Sequence, residues 1–84
     1  MPIPGNYTYA VPISKSDTAN FLPVGTQLFC DAIFVGGAGI VVAVQADGST
    51  PNFTCVAGEI LPVRAIRVNS TTTTATLMVA LYYL

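Results

Sequence analysis

No histidine occurs in this chain, and lysine, arginine, aspartate and glutamate together supply only seven of its 84 residues. Without imidazole the commonest general base is gone, and with it a leading metal ligand. The two cysteines, Cys30 and Cys55, lie too far apart to form a zinc-type ligand pair, so neither metal nor cofactor is expected. Lys15, Arg64 and Arg67 are the whole basic complement and form no phosphate-neutralising stripe, which argues against direct nucleic-acid binding. Long hydrophobic runs are also missing. The nearly apolar stretch 32–46 is interrupted by three glycines and falls short of the ~20 residues a membrane helix needs. The start, Met1-Pro2-Ile3-Pro4-Gly5, has no basic segment leading into an apolar core, so a secretory signal is not expected and cytoplasmic synthesis is.

What is present is an excess of apolar side chains, 52% of the residues in 8.8 kDa. A globule of that mass exposes roughly 4800 Å² by the usual scaling. Seven charges then leave about one per 700 Å², far below the charged fraction of a comfortable soluble monomer. The length supports one domain, 1–84, whose burial gain and ordering entropy nearly cancel; small chains in that position rely on disulfides, metals or oligomerisation. Cys30 and Cys55 read as free buried thiols under reducing conditions, so oligomerisation is the leading expectation.

The pattern predicts an all-β fold, a small antiparallel sandwich or barrel of about six strands with an extended N-terminal arm over 1–6, which Pro2 and Pro4 keep from becoming a helix. Strands are expected over 7–13, 28–35, 40–46, 50–56, 60–68 and 75–84. Pro12 and Pro51 argue for edge positions. The glycines of Val35-Gly36-Gly37-Ala38-Gly39 predict a tight hairpin between the second and third strands, and Asp47-Gly48 another turn. The segment 14–20 is polar and turn-prone, with Ser16 as candidate cap of one short helical turn. Two strands, at 40–44 and 77–81, are apolar on both faces, and a small sandwich is not expected to cover them alone.

Catalytic constellations are weak. No two carboxylates are close in sequence; Ser14, Lys15 and Ser16 sit in a polar turn that will not desolvate the amine; Cys30 beside Asp31 has no cation to lower its pKa. The glycine run is similar to a phosphate-binding loop, yet neither a helix pattern nor a spaced lysine follows it. No catalytic residue is assigned and the chain is read as a non-enzyme. The sequons at Asn6, Asn52 and Asn69 carry little weight in a threonine-rich chain without a signal. Arg64 and Arg67, three apart on one expected strand, point to opposite faces, where either could pair with Asp31, Asp47 or Glu59 or reach a neighbour. A carbohydrate- or receptor-binding module is the alternative, with Tyr7, Tyr9 and the run 70–76 lining a shallow site.

The order of segments adds to this reading: Ser16-Asp17-Thr18, Val35-Gly36-Gly37-Ala38-Gly39, Ala46-Asp47-Gly48, Leu61-Pro62-Val63-Arg64, Arg67-Val68, Thr73-Thr74-Ala75 and Ala80-Leu81-Tyr82. Over about residues 13 to 82 the chain resembles the small spike-base proteins of gene transfer agents and tailed bacteriophages, which attach to the outside of the capsid and carry a spike or fibre. The resemblance implies a β-rich virion structural protein made in the host cytoplasm. It would form a symmetric homo-oligomer on the capsid exterior as spike base or decoration (cement) protein, with the major capsid protein and a spike or fibre protein as partners. The expected subunit and capsid interface comprises Tyr7, Tyr9, Val42, Arg64, Arg67, Met78, Tyr82, Tyr83 and Leu84.

Overall fold

A computed structural model of the chain describes residues 9–82. The described residues hold seven strands and no helix: β1 Tyr9–Pro12, β2 Ala32–Gly37, β3 Gly39–Gln45, β4 Asn52–Cys55, β5 Glu59–Leu61, β6 Ala65–Val68 and β7 Thr76–Tyr82. They form two antiparallel sheets, four strands in the order β1-β7-β2-β5 and three in the order β4-β3-β6. A single core lies between them, with Ile33, Val35, Met78, Ala80 and Tyr82 from the first sheet meeting Val41, Ala43, Ala65 and Val68 from the second. The all-β expectation holds, while the expected arm over 1–6 lies outside the described residues.

Proline places the edges as expected. Pro12 ends β1 at one margin of the larger sheet, and Pro51 precedes β4 at a margin of the smaller one, where a missing N–H leaves no ladder bond unmade. Asp47-Gly48 turns the β3–β4 hairpin: Gly48 has φ 87°, its N–H donates to the Gln45 carbonyl, and the Asp47 carboxylate accepts from the Ser49 amide and hydroxyl.

Two expectations are corrected. The glycine run makes no hairpin, because β2 and β3 belong to different sheets and the chain crosses between them at Ala38. The glycines serve close approach instead. A Cβ on Gly36 would stand 2.8 Å from the Leu77 Cβ, one on Gly37 would collide with Thr76, and one on Gly39 would lie 2.6 Å from the Ala75 nitrogen; Gly39 also holds φ 153°, a conformation L residues avoid. The expected single strand over 60–68 is two strands in two sheets, β5 and β6. Pro62 donates no N–H, and Val63 closes a three-residue turn around it by donating to the Leu61 carbonyl at 2.9 Å, which redirects the chain across the core. Arg64 and Arg67 therefore do not share a strand. The expected helical turn at Ser16 is a side-chain turn, in which Ser16 Oγ accepts from the amides of Thr18 and Ala19.

Of the two doubly apolar strands, the one at 40–44 is better sheltered than expected, whereas the one at 77–81 leaves Leu77 exposed. Val41, Val42, Ala43 and Val44 are all buried within the protomer, as are Met78 and Ala80. Arg67 pairs with Val44 across β6 and β3 on the outer face, and its aliphatic stem shares that face. The run 69–75 lies along β3: Asn69 donates to the Val42 carbonyl, Thr73 Oγ1 accepts from the Val42 amide, and Thr74 Oγ1 accepts from the Ile40 amide.

Candidate interaction surface

Sequence reasoning placed nine residues at an interface, and the structure separates them. Val42, Met78 and Tyr82 are each under 9% exposed within the protomer: Met78 and Tyr82 belong to the core between the sheets, and Val42 is covered by the 69–75 run. Tyr7, Tyr83 and Leu84 lie outside the described residues. Tyr9, Arg64 and Arg67 remain accessible to different degrees.

The two arginines are held within the chain. Arg64 is largely exposed, with Nε 3.9 Å from Asp31 Oδ1, an ion pair of the weak surface kind. Arg67 Nε donates to Asn69 Oδ1 and its Nη1 to Asn20 Oδ1, both at 3.0 Å, which ties the loop after β1 to β6. Asp17 fastens the same loop to 69–75. Its carboxylate accepts from the Thr71 amide at 2.9 Å and the Thr71 hydroxyl at 2.7 Å, and these bonds hold its pKa below the ordinary aspartate value.

The cysteines are free, buried thiols. Burial pushes Cys30 up to about 11, which leaves almost no thiolate at neutral pH. Among the described residues the parts of a sugar site are not brought together. Tyr9 stacks edge-on against Tyr82 at one end of β7, with ring centroids 5.9 Å apart, whereas Thr76 begins the other end of that strand, and the hydroxyls of Thr71, Thr73 and Thr74 bond to the protein itself.

Large apolar side chains also reach the surface, and apart from Tyr9 none of them was among the residues the sequence placed at an interface. The large hydrophobic side chains exposed among the described residues are Tyr9, Leu22, Leu28, Val56 and Leu77. Leu77 is 79% exposed and has φ 53°, the left-handed region that a leucine enters only at a cost. Val35 joins Leu77's neighbour Met78 on one side and Glu59 on the other, and its carbonyl accepts from Gly58, so Leu77 and the Val56 turn share one end of the larger sheet. Tyr9 and Leu22 belong to another place, a groove of about 450 Å³ between the β1–β7 pair and the loop after β1. The apolar run Phe21-Leu22-Pro23-Val24, directly after the polar segment 14–20, was the available signal for it.

No protein-family model and no curated protein matches the chain. Among solved structures, a chain of one described as "Capsid of native GTA particle computed with C5 symmetry" matches with a TM-score of 0.77 and 35% sequence identity, covering 89% of this chain and 82% of that one. The chain belongs to the family of that GTA capsid-particle protein.

Proposed function

We propose that this protein is a non-enzymatic structural component of a virion or virion-like particle, seated on the capsid exterior as a spike base or decoration protein. The observation that carries this reading is the 35% identity to a chain of the GTA capsid particle at a TM-score of 0.77. It is supported by the sparse charge, seven charged side chains on a protomer exposing 4704 Å², and by large apolar groups left in water. Leu77 supports it further: a strained backbone and an exposed leucyl side chain at one position are two costs that a glycine or asparagine would avoid. We assign the Leu77–Val56 end to contact with the major capsid protein, with a spike or fibre protein as the further partner. The fivefold symmetry used for the related particle is compatible with a ring of copies around a vertex.

The test uses capsids purified without this protein. Added protein is expected to co-sediment with them and to appear in a particle reconstruction as density on the outer surface. Protein that stays in the supernatant, or density confined to the interior, would overturn the reading.

A further inference from the structure

Of the sheet edges, three are covered or blunted. Along the outer side of β6 the amides of Ser16, Phe21 and Cys30 donate to the carbonyls of Val68, Ile66 and Ala65. β1 carries Pro12, and β5 is three residues long and stops before Pro62, so neither offers a ladder of any length. β4 is different. Among the described residues it pairs with β3 alone.

The phase of that ladder fixes which groups of β4 are left over. The Ile40 amide donates to Thr74 Oγ1 and its carbonyl accepts from the Thr74 amide; the Val42 amide donates to Thr73 Oγ1 and its carbonyl accepts from the Asn69 amide. Ile40 and Val42 thus turn their backbone groups away from β4. Those groups alternate sides along a strand, so Gly39 and Val41 face β4, where they oppose Cys55 and Phe53. Cys55 and Phe53 therefore bond to β3, and Asn52 and Thr54, whose side chains are exposed, aim their N–H and C=O groups outward. Val56 ends the run, because its amide donates to Glu59 Oε1 and its carbonyl accepts from the Glu59 amide. No charged residue occurs between Asp47 and Glu59, so the edge lacks the charges that keep open strands apart.

Symmetry and charge select the occupant. The two donors and two acceptors are arranged about Phe53 so that a half-turn through that residue brings each donor of one copy to an acceptor of another. An edge bearing charge would meet its own sign in such a pairing, and this one meets none. The half-buried Phe53, packed against the core, then faces Phe53 of the second copy in a non-hydrogen-bonded pair, where side chains approach most closely.

We infer that two copies of the chain pair through β4, antiparallel, with Asn52 of each opposite Thr54 of the other. The ladder joins two three-stranded sheets into one continuous sheet. The contact is isologous, so it joins copies in twos rather than closing a ring, and it stands apart from the capsid reading above, which does not use the β4 edge.

The full chain is followed by sedimentation equilibrium at tens of micromolar and by hydrogen exchange resolved to single amides in dilute and concentrated samples. A species of twice the chain mass is expected, with the Asn52 and Thr54 amides exchanging at least tenfold more slowly when concentrated and the Phe53 and Cys55 amides, already bonded to β3, changing by less. Asn52→Lys combined with Thr54→Lys sets like charges opposite one another at both positions and is expected to give monomer. Asn52→Lys combined with Thr54→Glu sets opposite charges there and is expected to restore the dimer. A parent that is monomeric at every concentration, a dimer indifferent to the double lysine change, or Asn52 and Thr54 amides that exchange alike in both samples would overturn the inference. A parent that pairs in this way yet stays off capsids removes the capsid reading alone, and one that binds capsids without this pairing removes the pairing alone.

Discussion

A side chain that serves the assembly rather than the protomer is expected to cost the protomer something, and Leu77 fits that description. Asparagine tolerates the left-handed backbone that costs an ordinary L residue roughly 1–2 kcal/mol. Leu77→Asn is therefore expected to leave the melting temperature unchanged or raise it, while weakening capsid co-sedimentation. A lower melting temperature would show that the exposed leucine supports its own fold. Asp17 has the opposite character, holding two parts of one chain together. Its folded pKa is depressed, so its contribution is fully present above the unfolded aspartate value of about 3.9 and is lost as pH falls through the folded value. Asp17→Asn is expected to melt earlier than the parent at pH 6, with the gap closing as the pH is lowered below about 4. A gap that persisted into acid would assign the effect to something other than the carboxylate.

Between neighbouring strands the deciding quantity is how closely backbones approach. Gly39→Ala places a Cβ against the Ala75 nitrogen at a backbone angle closed to alanine, and is expected to cost about 1–3 kcal/mol in urea unfolding. Gly25→Ala, with open space around it, is expected to cost less. Equal losses would mean that strain alone, without the Ala75 contact, sets the cost. The same glycines explain why the sequence was readable only in part. β-formers and prolines announce strands and edges because those properties are local to each residue, which is why Pro12, Pro51 and Asp47-Gly48 were legible. A glycine admits both a turn and a close approach, and only the opposite strand, here Thr76 and Leu77, decides between them. Pro62 was legible as an irregularity but not as a change of sheet, since that depends on where β6 finds its partner. For the candidate surface the limit was similar. Val42 and Met78 are apolar whichever way they face, and their cover comes from segments remote in sequence.

As a whole, the protomer buries one core between its sheets but leaves Tyr9, Leu22, Val56 and Leu77 in water, which fits the assembly role proposed above. Stability that depends on association rises with concentration by mass action. The melting temperature is expected to climb across a dilution series from nanomolar to tens of micromolar, and a flat series would mark the folded protomer as self-sufficient. The pairing of β1 with β7 carries a consequence for synthesis. Tyr9 lies opposite Tyr82, so the first described strand finds its partner only in the last, and the chain changes sheets repeatedly on the way. Such remote pairings place folding on the millisecond-to-second scale. A nascent polypeptide emerging from the ribosome therefore holds β1 unmatched until β7 has emerged as well, so the larger sheet cannot close before then.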